Sequence, residues 1–467
     1  MDRVVAPLRR LRGGEDGFDR RLIAPMILGS ILNPVNSSII AVSLIPIGRA
    51  FGAPPAQTAW LISALYLATA VGQPVVGRLV DLYGPRKLFL IGTTLTGMAG
   101  LLGTLSPNLG VLIAARVILG FGTCAGYPAS MYLLRTESER TGRNSPAGIL
   151  TVLAVANQTI AVIGPSLGGL LIGLGGWRAT FAVNIPLAIA AFVTARLRFP
   201  DVVAPQRGSR SGMRIDLPGI VAFAAMLVSM LLFLMTPRLS NLYLLAIAAA
   251  AALALVVREL RTVEPFIDLR VLGGNPALVA TYLRTVLAAT VSYCFLYGFT
   301  QWLEDGRGLS ASAAGLVLLA TFVTAILVST TTGRRPQIRG KLIVGAVVQV
   351  AGCALMLTLH AHSALWMLIG LALVVGVPQG LLSLANQNAV YHQADSARMG
   401  SSAGLLRTFM YLGALAASSA DGMVFGHSAD TAGLHRLAMF TLVVSGLLLV
   451  LTVADRSLGR VGAAEKG

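Results

Sequence analysis

The sequence predicts an all-α polytopic membrane protein, and three observations carry that prediction. Hydrophobic residues make up 55% of the 467 and charged residues only 12%, about half the charge of an ordinary soluble chain and too little to cover a soluble surface. The 51 glycines fall inside apolar runs, where membrane helices tolerate them better than soluble ones. Those runs recur at lengths near the roughly 20 residues that a helix needs to cross a bilayer.

Fourteen runs are legible. The first, residues 22–47, is longer than a signal-peptide core and has no small-residue cleavage site, so it reads as a span. Spans follow at 58–79, 88–106 and 109–133, the last with Arg116 in its interior. The fifth, 147–174, carries Gly164, Pro165, Gly168 and Gly169, and the sixth, 179–195, carries Asn184. The seventh and eighth, 217–236 and 241–257, are short and parted only by a weak separator at 236–240. Six more lie at 275–301, 311–332, 341–359, 363–385, 402–423 and 434–454. The connection from Pro200 to Arg214 is rich in Pro, Gly, Ser and Arg and has no periodic apolar face. The expected organisation is a tail over 1–21, six spans over 22–199, a linker over 200–216, an additional pair over 217–257, six more spans over 258–456 and a tail over 457–467.

Charge tests this layout. With a cytoplasmic N-terminus, 28 of the 36 basic residues fall in loops on that side, five on the other, and three, Arg116, Arg284 and Arg407, inside spans. That is a strong positive-inside bias, and a missed span would invert it partway along. It places both termini in the cytoplasm, gives the net charge of +17 a topological meaning and removes the case for nucleic-acid binding. Cys124, Cys294 and Cys353 all sit in apolar runs, with neither zinc spacing nor a disulfide framework. No metal site, cofactor motif or catalytic cluster is legible, so an enzyme is not expected.

The sharpest motif follows span two: Gly77-Arg78-Leu79-Val80-Asp81-Leu82-Tyr83-Gly84-Pro85-Arg86-Lys87. Gly77 and Gly84 permit close helix approach and a tight turn. Asp81, near a helix end, can accept hydrogen bonds from the first turn of a neighbouring helix and pair with Arg78 or Arg86. This stretch resembles the signature loop of the major facilitator superfamily of secondary transporters. Arg116-Val117-Ile118-Leu119-Gly120-Phe121-Gly122 is similar to that family's span-four pattern, and Gly164-Pro165-Ser166-Leu167-Gly168-Gly169 to its antiporter signature. Gly176-Trp177-Arg178 and Glu264-Pro265-Phe266 resemble the fourteen-span drug and multidrug exporters.

The resemblance implies the major facilitator fold, with two six-helix bundles rocking about a central site and two additional helices beside them. It implies a secondary active exporter of small amphipathic organic molecules, by proton antiport with alternating access, in the bacterial inner membrane. An uncoupled facilitator of neutral or anionic solutes is the second reading, and a non-transporting sensor the third. The expected partners are a small-molecule substrate, protons and the lipid bilayer. The protein is expected to act as a monomer, and nothing supports a periplasmic adaptor. The implied coupling or gating residues are Arg78, Asp81, Arg86, Arg116, Gly164, Pro165 and Gly168, to which the acidic residues of the sequence add Asp421. Candidates for the substrate cavity are Asn36, Gln158, Arg284, Gln301 and Gln379, with Tyr66, Tyr127 and Tyr297.

Two departures from the family pattern matter. Where the fourteen-span exporters often place an Asp in span one, this chain has Asn36, and the second copy of the signature loop, Gly333 to Lys341, has no Asp. Of 19 acidic residues only Asp421 falls within a span, and the five His lie near ends or loops. Proton exchange needs a group that changes protonation as the cavity changes face. Asp421, Asp81 or the Glu304–Asp305 pair must serve, or coupling is absent. A cavity with Arg116 and no deep carboxylate also disfavours lipophilic cations by repulsion.

Overall fold

The computed structural model describes residues 18–53, 55–58, 60–141, 147–201, 216–235, 238–262, 273–309, 311–333, 337–425 and 429–459. Among them eleven helices are long and apolar enough to cross a membrane, and one bent pair raises the count to twelve. Helix α1 (Ile23–Phe51) keeps Pro34 and Pro46 inside it. Helix α2 (Trp60–Tyr83) turns into α3 (Pro85–Thr104) through Gly84 alone, at φ 88°. Only glycine adopts that backbone freely, and Pro85 at the first helical position is already set for the helix. The tight turn expected from the signature loop is therefore present.

Helices α4 (Leu109–Thr123) and α5 (Gly126–Thr141) form one membrane-length unit. Asn108 caps the start of α4 by accepting from the Val111 N–H at 2.9 Å. Helix α6 (Ala147–Ala182) is interrupted at Gly175 and Gly176, the latter at φ 68°. That break divides two helical runs at the boundary expected between spans five and six. Helix α7 (Asn184–Arg198) continues the second run, and α8 (Leu217–Met235) and α9 (Leu242–Arg261) fall where the additional pair is expected. Helix α10 (Pro276–Cys294) runs on into two π-helical stretches, Phe295–Phe299 and Trp302–Gly306. The remaining helices are α11 (Ala311–Thr332), α12 (Ile338–Met356), α13 (Leu365–Gln393), α14 (Met399–Phe425) and α15 (Thr431–Ala454).

Packing reveals a repeat that the sequence barely carries. In the first half α1 packs on α6, α4 on both α2 and α3, and α3 on α7. In the second half α10 packs on α14, α13 on both α11 and α12, and α12 on α15. Span for span these are the same pairings, as a parallel internal repeat requires. The halves meet through α2 against α14 and, symmetrically, α6 against α11. The additional pair packs on itself, and α8 also touches α2 and α14 at the seam. Arg258 Nε and Asp216 Oδ1, 3.0 Å apart, tie the pair together at one end. Large apolar side chains such as Leu174, Leu197 and Leu253 point outward, as a lipid-facing surface demands.

Candidate functional site

Helix α14 carries, in order along its length, many of the contacts that join the two halves. At its start lies the signature-loop contact. Asp81 Oδ1 accepts from the Gly400 N–H at 2.7 Å, and Oδ2 accepts from the Ser401 N–H at 2.8 Å and the Ser401 hydroxyl at 2.5 Å. A helix's first N–H groups have no internal partner and carry the positive end of its dipole, so a carboxylate there is doubly favoured. Gly77, one turn earlier on α2, is pressed against the Gly400 carbonyl. Arg78 is half-buried on the same turn. Arg86 does not pair with Asp81: it meets Asp201 at 2.5 Å and donates to the Arg196 carbonyl at 2.9 Å, tying α3 to the end of α7.

The Gly77 contact yields a direct prediction. A methyl at Gly77 would run into the Gly400 carbonyl oxygen, which is backbone and has little freedom to retreat. Gly77→Ala should force α2 and α14 apart at this end. Thiol labelling of a single cysteine introduced at Ser401, in a background free of native cysteines, should be faster in the variant; equal rates would deny the contact a gating role.

Further along α14 the contacts become aromatic and amide. The Arg407 guanidinium lies 4.2 Å over the Tyr127 ring. The Thr408 hydroxyl donates to the Ala70 carbonyl at 2.9 Å, and the Tyr411 hydroxyl to Asn33 Oδ1 at 3.0 Å. Asn33 is itself held by its Nδ2, which donates to Thr123 Oγ1 at 3.1 Å. Tyr66 and Tyr297, from opposite halves, share a hydroxyl–hydroxyl hydrogen bond of 3.1 Å. Tyr297 stacks on Tyr293, and Tyr66 leans on Tyr411. The three expected tyrosines thus lie along one seam. Asn33, Arg407 and Tyr411 join them; Arg407 and Tyr411 stand four apart on one helix face, a spacing visible in the sequence.

Other expected residues are placed differently. Asn36 exchanges two hydrogen bonds with Asn184, at 2.6 and 2.9 Å, and so locks α1 to α7 instead of facing a cavity. Arg116 is buried; its Nε donates to the Leu61 carbonyl at 2.9 Å and its Nη1 to the Asn36 carbonyl at 3.4 Å. Arg284, expected to line the cavity, is fully buried inside the second half. It pairs with Asp455 at 2.6 Å and donates to Thr281 Oγ1 at 2.5 Å. Gln301 is exposed and Gln379 half-buried. Gly164 abuts the Ser38 side chain of α1 and Gly168 is buried, whereas a methyl on Gly169 would meet nothing. The side chains of Gln158, Pro165, Glu304 and Asp305 lie outside the described residues.

The Arg284 pair predicts a stability effect. Removing one member of a buried ion pair costs about 3–5 kcal/mol. Burial pushes the Asp455 carboxyl up, but hydrogen bonds from Ser457 and Arg284, with the Arg284 charge, outweigh it and hold the carboxyl below its ordinary range. Its contribution is therefore present above the ordinary carboxylate range and lost as pH falls through the depressed value. Arg284→Ala should lower the melting temperature of the purified protein at neutral pH, and by less in acid. A variant as stable as the parent would mean that the pair is not formed.

Asp421 is 2% exposed, and neither of its oxygens has a hydrogen-bond partner. It faces Gly298 in the first π-helical stretch, where a methyl would lie 2.5 Å from Oδ1. Leu437 lies against the same Gly298 position, and Cys294 and Tyr297 lie close enough to interact with the carboxylate. Among the described residues, no group of His, Cys, Asp and Glu is arranged to hold a metal ion.

Known proteins resemble this chain over nearly its whole length. The family model of the Major Facilitator Superfamily matches residues 26–418. An uncharacterised MFS-type transporter of Bacillus subtilis, YwoD, is 32% identical, covering 91% of this chain and 94% of its own. A lincomycin resistance protein of Streptomyces lincolnensis is 29% identical, covering 82% and 79% respectively. Among solved structures, the human organic anion transporter MFSD10 superposes with a TM-score of 0.68 at 16% identity, covering 93% of this chain and 99% of that one; at that identity the likeness is one of fold.

Proposed function

The chain belongs to the major facilitator superfamily, and on that premise we propose that it exports small amphipathic organic molecules in exchange for protons. The observation that carries proton exchange is Asp421, a carboxylate buried with no hydrogen bond and no ion pair among the described residues. A buried ionisable group inside a membrane helix is costly and is retained for function. Here it sits on α14 beyond the seam's tyrosines, in contact with a π-helical segment whose irregular backbone suits local rearrangement. Export rather than uptake is supported by the relative named for lincomycin resistance.

In this reading the protein has fourteen spans and sits in the bacterial plasma membrane as a fourteen-span drug:proton antiporter. The fourteen comprise the repeat's twelve and the α8–α9 pair; the twelve include α14 and the two helical runs parted at Gly175 and Gly176. The positive-inside bias puts the Asp81 end in the cytoplasm. Asp81, with Arg78 beside it, forms the cytoplasmic gate, and Arg86 braces the loop. Arg116 holds α4 against α1 and α2 so that the first half moves as a unit. Gly164, with Gly168 one turn on, keeps α6 close to α1. Tyr66, Tyr127 and Tyr297 line the substrate path, with Gln301 and Gln379 as outlying polar contacts.

The test is proton movement in inverted vesicles energised by respiration, with cationic, neutral and anionic compounds added in turn. A substrate-triggered proton efflux is expected. Labelled-substrate flux with no proton response would replace antiport by facilitated transport, and no flux of any kind would remove the transporter reading itself.

A further inference from the structure

We infer that Arg407 anchors the substrate through its charge, and that the site prefers aromatic monoanions over their neutral or cationic analogues. The inference rests on the transporter reading and names the substrate class of that same site.

Three arginines lie within spans, and the structure gives them different fates. Arg116 has no carboxylate partner among the described residues and keeps a buried, unpartnered Nη2, but two backbone carbonyls accept from it within the first half. Arg284 is neutralised by Asp455. Arg407 has no carboxylate partner among the described residues. Its Nη1 reaches only the Met410 sulfur at 3.8 Å, its Nε is buried without a partner, and its charge rests on the face of Tyr127. The Tyr127 hydroxyl is likewise buried without a partner.

A cation held by a ring face is stabilised less than one gripped by a carboxylate through paired, charge-assisted hydrogen bonds. Arg407 is thus a half-buried charge with a buried, unused Nε–H, set against an aromatic ring where a carboxylate would otherwise pair with it. Two unused donors, the Arg407 Nε–H and the Tyr127 O–H, stand on opposite sides of the seam between the halves. A carboxylate or phenolate oxygen accepts from both. An aromatic body finds ring surface nearby, since Phe409 stacks on Tyr282 and Tyr66 leans on Tyr411.

Position supports the assignment. Arg407 lies six residues beyond Ser401, about 9 Å along the helix, between the Asp81 contact and the Tyr411–Asn33 bond. A ligand there touches both halves just above the gate. Neither carboxylate on this helix seam competes for it: Asp81 is occupied by the start of α14, and Asp421 is fourteen residues away along the helix, about 21 Å.

The test compares three probes of one shape, naphthoate, naphthamide and naphthylmethylamine, binding to the purified protein in detergent. This readout needs neither protons nor a transport direction, so a failure of antiport leaves it intact. The wild type should bind naphthoate about tenfold or more tightly than naphthamide, as expected for a hydrogen bond to a charged group, and the amine weakest. Arg407→Gln should bring acid and amide to equal affinity; Arg407→Lys should keep the order with a smaller gap. A second measurement needs no variant. Phenylglyoxal modification of Arg407, followed by peptide mass spectrometry, should be slowed by naphthoate and not by naphthamide. Equal binding of acid and amide by the wild type, an undiminished preference in Arg407→Gln, or modification of Arg407 indifferent to naphthoate would each overturn the assignment.

Discussion

Asp421→Asn is expected to abolish substrate-triggered proton movement, to the level of vesicles lacking the protein, while leaving the fold and substrate binding intact. The side chains have nearly the same shape, so the packing around position 421 survives. What is lost is the capacity to take up and release a proton. An ionised carboxylate left unpaired at 2% exposure costs several kcal/mol, so its proton exchange has to wait for access from water. On the proposed reading, alternation of the two halves provides that access, and α14 is one of the helices along which they meet. Asp421→Glu should retain a proton response at a lower rate, because the carboxyl remains but is displaced toward Gly298, where there is no spare room. A full proton response in Asp421→Asn would dismiss this residue as the carrier and pass the role to Asp81 or the Glu304–Asp305 pair.

The difference between what could and could not be read from sequence follows the range of the interactions. Gly84 and the turn it makes are local, so the motif announces them. That Asp81 would receive N–H groups from the start of another helix was legible in kind. Which helix was not, because its partners lie 319 and 320 residues further on and only packing brings them opposite. Arg116 was legible as a buried cation, yet its partners are backbone carbonyls, which any residue supplies. Asn36 and Arg284 looked like cavity groups because a polar residue in an apolar run reads the same whether it faces a cavity or a partner helix. Asn184 and Asp455 decide the matter, and both are distant in sequence. The internal repeat is faint in sequence because lipid-facing positions accept any apolar side chain. The pairing of helices retains it, since packing depends on shape along each seam and not on residue identity at its back.

Asp81→Asn carries the other large effect, and its sign is opposite to that of a simple loss of binding: it should open the α2–α14 contact proposed as the cytoplasmic gate. In the present state one carboxylate receives three hydrogen bonds from Gly400 and Ser401 and faces the positive end of α14. Asparagine keeps one acceptor oxygen and turns the other position into a donor facing donors. Hydrogen bonds to charged groups are worth about 1.5–3 kcal/mol each, so losing the charge should shift the equilibrium by about 2–4 kcal/mol, roughly thirty- to several-hundred-fold. Spin labels at Glu139 on α5 and His392 on α13, both exposed and on opposite halves, report the opening as a distance. The short distance should dominate in the parent and a longer one in the variant, with slower turnover because the return to the closed state has become the uphill step. A distance distribution unchanged by Asp81→Asn would mean that the tyrosine seam and the Gly77–Gly400 contact hold the gate without the carboxylate. In that case the loop's acid serves assembly of the helix ends and not their alternation, since a charge that biases neither state cannot drive the exchange between them.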